Sequence, residues 1–585
     1  MDLCEFEILE NKIMIRIQNR ICETPDELIS SNLFYRVLEN CIKKLQQHDS
    51  ELLTIFGTKA IKPADVKKLV KTLFYLTKMK GHLVPNIVKG SEVFFQDKDV
   101  FNDFIEYLYN YWRSFDRFIV CASNESGAQK RPYRIFNETI EQLTHLTRAT
   151  YRDVEENITG LHPNIYRQVR AGAEVAAIAS PRSIPFPDKK YAPLETIPVI
   201  SQILMCPPLI FNPPMNKRTG VFERVSKNPM DQFTFKKQEW VCYPAKVGKL
   251  LILIYFHHTF AELGYSLANL FQLAEEKDLK RKPDAVYCYG VPEKCVQNLG
   301  ESQTVFYDDE KNDIMFAAVP RNKHFGYFGY LKKMVLTLHN IIIMKRRQMP
   351  FHGALVDITL TTNKKATILL IGDSGAGKSE TLEAFREIGS DVIKDMHIIA
   401  DDMGSVRKTR KQGVVGIGTE IGAFLRLDDL KPGYAFGQID RAIIMSANKV
   451  NARIIMPVAA YERVIKDHSI DFILYANNYE EIDEDHPLIE RVRTPEAAFN
   501  VFKEGTVMSK GTTTSTGLVH SYFANIFGPP QYKDMHDRIA KAFFKHFFNQ
   551  GIFVGQMRTR LGIAGYEQKG PDAAARALLA IINNQ

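Results

Sequence analysis

The residues best suited to chemistry in this chain lie together at Gly372-Asp373-Ser374-Gly375-Ala376-Gly377-Lys378-Ser379, which satisfies the pattern GxxxxGK[ST] in full. Glycines at these spacings let successive backbone N–H groups turn inward around phosphate oxygens, and the N-terminus of a following helix adds positive potential. Lys378 is placed to reach the β- and γ-phosphates of a nucleoside triphosphate, and Ser379 to hold a magnesium ion. The flanks suit phosphate binding, since 366–371 (ATILLI) predicts an apolar strand and 380–388 (ETLEAFREI) a helix. The expected nucleotide site is therefore Ser374, Gly375, Ala376, Gly377, Lys378, Ser379 and Glu380. A second signal follows at 397–404 (HIIADDMG), where a short apolar strand ends in Asp401 and Asp402. An aspartate at a strand end completes the metal site of P-loop nucleotide enzymes, which makes both residues candidate metal ligands.

Positioning such a site requires alternating strands and helices, and the sequence supplies them. Apolar, β-prone runs at 249–256, 284–288, 303–307 and 313–319 predict strands of a buried sheet, with a helical piece at 259–275. The alternation continues to a last helix at 571–583, opened by Pro571. The beginning of the chain reads differently. Apolar residues recur near the 3.6-residue helical period over 33–48, 64–80 and 100–120. Proline-rich stretches between 151 and 230, such as PRSIPFPDKK, predict irregular loops or a linker. The expected organisation is a helical N-terminal extension (1–150), an N-terminal α/β substrate domain (151–345) and a nucleotide-binding P-loop domain (346–585).

Composition narrows the function classes. The 585-residue chain is 45% hydrophobic and 25% charged, an ordinary globular balance. Its net charge of +8 is spread in short pairs, which suits phosphates and carboxylates. No long basic stripe or nucleic-acid signature is present, so no nucleic-acid partner is expected. The eight cysteines are scattered, with no zinc spacing and no disulfide framework, and point to the cytoplasm. The N-terminus lacks the apolar core of a signal peptide, and the apolar runs are too short to span a bilayer, so no membrane association is expected. Oligomeric state stays open.

The segment from Phe351 to Gly404 resembles both the phosphoenolpyruvate carboxykinases and the bacterial HPr kinase/phosphorylases, which share a related nucleotide-binding core. HGALVD (352–357), GDSGAGKSE (372–380) and ADD (400–402) are very close to the HPr kinase wording. Three features are similar to carboxykinases: Gly326-Tyr327-Phe328-Gly329-Tyr330-Leu331-Lys332-Lys333, the histidine His352, and Asn451-Ala452-Arg453 followed by Pro457. The resemblance covers 310–585. It implies a two-lobed α/β fold with a P-loop-containing mixed-sheet C-terminal domain, here carrying an added helical N-terminal region. It also implies reversible, nucleotide-dependent decarboxylation and phosphorylation of oxaloacetate to phosphoenolpyruvate, with ATP or GTP, Mg2+ and Mn2+. By the same resemblance Tyr327 lines the substrate pocket, and Arg453 contacts substrate and the transferring phosphoryl group. Lys333, His352 and Asp402 would hold manganese, with Asp402 counted among the catalytic residues, while Ser379 and Asp401 would hold the nucleotide's magnesium.

Two departures matter. The family grips the substrate carboxylate with an N-terminal-domain arginine; Arg182, Arg218 and Arg224 lie in suitable loops, but none sits in the family's motif. The comparable stretch to the nucleotide-site TxRG loop, 508–518, has Lys510 and no arginine. Base preference and phosphoryl acceptor therefore stay open. Two other readings remain: a carboxykinase-like kinase acting on a protein serine or small hydroxyl compound, and a non-enzymatic nucleotide sensor.

Overall fold

The computed structural model describes residues 4–17, 21–122, 132–373, 375–427, 439–510 and 516–584. The fold is α/β with large mixed sheets. Two compact units emerge: Met1–Arg182 with Pro198–Leu209, and Ser183–Ile197 with Ile210–Gln585.

The first unit is not purely helical. Its sheet runs in the order Cys4–Ile8, Lys12–Ile17, Asp116–Ala122, Val175–Ser180, Val199–Met205. The two outer pairings are antiparallel and the two inner ones parallel. The amphipathic segments fold as the helices Asn32–Gln47, Pro63–Leu76 and Lys98–Arg113, joined by Pro132–Thr159. Ser31 and Asp97 cap two of them by accepting from backbone N–H groups of the first turn. The helical reading of 100–120 overruns. After the Ser114 cap the chain turns into the strand Asp116–Ala122, whose β-branched and aromatic residues are buried between neighbouring strands.

In the second unit one sheet has the order Trp240–Val247, Leu250–His257, Ala285–Val291, Ile314–Pro320, Val305–Asp309, Glu223–Val225. The helix expected over 259–275 is broken into the short helix Ala261–Ser266 and the edge strand Gln272–Leu273, which pairs with Lys246 and Ala245. A nine-stranded sheet carries the P-loop: Lys365–Ile371 lies between the long strand Met349–Leu360, antiparallel, and Phe472–Asn477, parallel. Helix Phe328–Lys345 is buried almost all round, so its lysines are carried into the interior rather than to a solvated face. Lys569–Asn584 forms the last helix. Among the described residues no helix is long and apolar enough to cross a membrane.

Candidate active site

The P-loop strand ends at Ile371, and helix Lys378–Ile388 begins after Gly377. Gly377 has φ of +100°, and a Cβ there would sit 2.7 Å from Thr559 Oγ1, so both conformation and space require glycine. The loop is held from outside: Thr559 Oγ1 donates to the Ala376 carbonyl at 2.7 Å, and Asn478 Nδ2 to that of Gly375 at 2.9 Å. Lys378 folds back on its own loop, donating to the carbonyls of Gly372 at 2.5 Å and Asp373 at 3.0 Å. Burial lowers its pKa against the pull of nearby Asp402, Asp373, Asp401 and Glu380. Ser374 lies outside the described residues.

Topology explains the acidic pair. The strand Met349–Leu360 changes partner midway, pairing first with Met403–Thr409 (His352 opposite Met403) and then with Ile393–Ala400 (Leu355 opposite Ala400). Asp401 and Asp402 occupy the crossing between those two partners, and the Gly353 N–H donates to the Asp402 carbonyl at 2.9 Å. His352 is therefore brought to Asp402, with Nε2 3.0 Å from Oδ1. Its Nδ1 meets the Ala524 carbonyl, which can only accept, so Nδ1 carries a proton. Phe523, Ala524 and Asn525 all have positive φ, a costly turn that aims this carbonyl at the ring. An imidazole oriented by a backbone carbonyl, with its other nitrogen facing a carboxylate, is a metal ligand's arrangement.

The lysine pair divides its work. Lys332 Nζ lies 2.6 Å from Asp402 Oδ2 and 3.1 Å from Glu420 Oε1, and is 3% exposed. Burial opposes its charge, but the two carboxylates prevail and raise its pKa, so it stays an ammonium. Burial also acts against Asp402, yet Lys332 and His352 hold that carboxyl well below the usual range. For Asp401, with no such direct partner among the described residues, desolvation and then the Asp402 charge push the carboxyl up. Lys333 is the opposite of Lys332: burial first, then the Arg218 charge, lowers it to about 8. A lysine binds a cation only as the neutral amine, and Lys333 is brought near that state by the protein alone.

These groups share one pocket of about 240 Å³. It takes in Tyr327, Lys333, His352, Asp402 and Arg453 together with Gly375, Lys378, Ser379, Glu380 and Asp401. Six cationic and four acidic side chains line it, which favours an anionic occupant. Phe424 forms an aromatic wall, 6.1 Å from the Tyr327 ring and 5.4 Å from the Arg453 guanidinium carbon. Arg453 Nε is buried with no hydrogen-bond partner among the described residues. Tyr327 is held by its neighbour: a Cβ on Gly329 would come within 2.3 Å of its ring. Ala376 and Gly377 contribute backbone behind the pocket rather than its lining.

Two participants escaped the sequence, and a third was singled out only by the fold. Glu420 carries no motif and becomes visible only through its contact with Lys332. Phe424 sits in a strand that no sequence signal ties to the P-loop. Arg218 was one of three candidate arginines. Its loop is tied down when Tyr330 Oη accepts from the Thr219 N–H at 3.0 Å and Asn451 Nδ2 donates to the Asn216 carbonyl at 2.6 Å. Arg218 thereby becomes the strongest charge acting on Lys333, and its Nε too is buried and unpartnered among the described residues. Arg224 instead pairs with Glu310 at 3.2 Å. The 508–518 loop lies partly outside the described residues, the Lys510 side chain included. No protein-family model matches the chain, and no curated protein matches it.

Proposed function

We propose that this chain is a phosphoenolpyruvate carboxykinase-like enzyme, converting oxaloacetate and a nucleoside triphosphate reversibly to phosphoenolpyruvate, carbon dioxide and the diphosphate. The observation that carries the reading is the convergence of a low-pKa lysine amine, an oriented imidazole and an ionised carboxylate beside a P-loop. Lys333, His352 and Asp402 fit a borderline divalent cation such as manganese, and Ser379 with Asp401 fit the magnesium of a nucleotide. When bound, the first cation would supply positive charge where an enolate oxygen develops.

The protein's own groups account for the rest. Loss of carbon dioxide breaks a carbon–carbon bond and leaves its electron pair as an enolate. The enolate oxygen then forms a bond to the γ-phosphorus as the bond to the β-phosphate oxygen breaks. Arg453 and Arg218, with unpartnered Nε groups, suit the carboxylate and the transferring phosphoryl group. Lys378 suits the phosphates. Phe424 and Phe527 line the pocket, Phe527 against Lys333, and limit water, which would protonate the enolate on carbon. An ordinary hydroxyl kinase has no need of a lysine whose pKa is lowered by burial, so Lys333 favours the carboxykinase reading over the kinase and sensor readings. The test is to incubate the chain with oxaloacetate, ATP or GTP, Mg2+ and Mn2+, and to measure phosphoenolpyruvate. Product should vanish in Lys333→Ala and persist in the exposed-residue control Lys67→Ala. Absence of product with either nucleotide refutes the reading, and turnover only with a serine-bearing acceptor would put a kinase in its place.

A further inference from the structure

The backbone carbonyl that orients His352 is itself held in place from outside the pocket. Ala524 supplies this carbonyl and lies at the centre of three successive non-glycine residues with positive φ: Phe523 at +45°, Ala524 at +57° and Asn525 at +60°. Residues in that conformation are strained and persist only where their surroundings over-determine them. The Tyr522 side chain supplies such a restraint. Its hydroxyl donates to Asp537 Oδ1 at 2.6 Å and lies 2.9 Å from Nδ1 of the buried His536, both on helix Lys533–Asn549. Lys503 Nζ fixes the same carboxylate through Oδ2 at 2.7 Å. The Phe523 N–H donates to the Lys503 carbonyl at 3.2 Å, and the Phe523 ring packs on His536 with centroids 4.6 Å apart.

Tyr522 is not part of the pocket wall, so it can act on the site only through this turn. We propose that Tyr522 is a positioning residue for the cation site. By tethering the turn to Asp537 it keeps the Ala524 carbonyl on His352 Nδ1, which leaves Nε2, the nitrogen beside Asp402, to offer its lone pair to a cation. The proposal rests on the carboxykinase-like reading of Lys333, His352 and Asp402 as cation ligands. The phosphate loop is served by a separate contact. Ser521 Oγ donates to Asp373 Oδ2 at 3.1 Å, and the Ser521 N–H is fixed by the Gly505 carbonyl at 3.1 Å, so loosening the turn at Tyr522 leaves the nucleotide side held.

The test titrates the full-length chain with Mn2+ in the absence of nucleotide and counts free Mn2+ by electron paramagnetic resonance. The unaltered chain should bind one Mn2+ that Lys333→Ala loses. Tyr522→Phe should bind that ion roughly tenfold more weakly, the cost typical of disturbing the partner that orients a ligating histidine. Its affinity for Mg·ATP should be unchanged, and excess Mn2+ should restore phosphoenolpyruvate formation. Asp537→Asn, the milder change, should weaken Mn2+ binding in the same direction, and carries the test alone if Tyr522→Phe does not fold. The double variant should be no weaker than Tyr522→Phe, because both substitutions act through one hydrogen bond. A purely structural role would lower the melting temperature and leave Mn2+ affinity alone. Equal Mn2+ affinity in the variants and the unaltered chain, or a loss shared equally with Mg·ATP, overturns the proposal and leaves the carboxykinase reading standing. An unaltered chain with no Mn2+ site sensitive to Lys333→Ala overturns both.

Discussion

Lys332→Met removes one ammonium from between the buried Glu420 carboxylate and the partly buried Asp402 carboxylate while nearly preserving side-chain length. At an effective dielectric of about 20, the 2.6 Å contact with Asp402 and the 3.1 Å contact with Glu420 correspond to attractions of roughly 6 and 5 kcal/mol. Most of that is offset by the cost of burying the ammonium. Breaking a buried pair from one side nonetheless costs about 3–5 kcal/mol, since a charge is left uncompensated. In a unit of about 390 residues the unfolding entropy is about 0.8 kcal/mol/K, so a loss of about 4 kcal/mol lowers the melting temperature by about 5 °C. The loss should depend on pH with a definite sign. Burial, against the pull of Lys332, raises the folded Glu420 pKa from 4.5 to about 7. The folded state therefore favours protonated Glu420. Its penalty is absent below the unfolded value and grows as pH rises through the folded one. Without Lys332 the folded value rises further, so the Glu420 share of the destabilisation should be small near pH 5 and larger at pH 8, while the loss at Asp402, which is ionised at both, persists. Glu420→Gln should restore part of the loss, with a coupling of about 1–3 kcal/mol in a double-mutant cycle. The measurement is calorimetric or urea unfolding of the four proteins at both pH values. A Lys332→Met cost below about 1 kcal/mol at pH 8, or one independent of both pH and Glu420, would refute the reasoning.

Other substitutions test neighbouring claims. Gly329→Ala should displace the Tyr327 ring, which a Cβ would meet at 2.3 Å, costing about 1–3 kcal/mol of stability and raising the KM for the carboxylate substrate; thermal melts and steady-state kinetics read both effects. Arg218→Met should raise the Lys333 pKa, because a repelling charge is lost, and weaken substrate carboxylate binding by roughly tenfold or more; isothermal titration with phosphoenolpyruvate measures the second effect. Asp97→Ala removes the acceptor for the Asp99 and Val100 N–H groups and should destabilise the first unit by about 1 kcal/mol in urea unfolding, with nucleotide binding unchanged.

The sequence by itself determined what is contiguous. The P-loop is recognisable because its glycines, lysine and serine act through backbone geometry within one turn, between a strand and a helix that the sequence also signals. The amphipathic helices Asn32–Gln47 and Pro63–Leu76 declare themselves through their own periodicity. Tertiary structure alone decided which lysine holds Asp402 and which is left with a depressed pKa. That depends on how a helix buried nearly all round is oriented against Asp402 and Glu420, and adjacent lysines in sequence carry no record of it. It alone brought Asn216 and Asn451 together across 235 residues, placing Arg218 beside Lys333. It also turned 116–122 from the tail of a helical pattern into a strand, since burial among strand neighbours outweighs local propensity. Hydrogen bonds within a turn and helical periodicity are local and therefore legible. Burial and long-range charge depend on which distant segments pack together, and only the folded chain sets that.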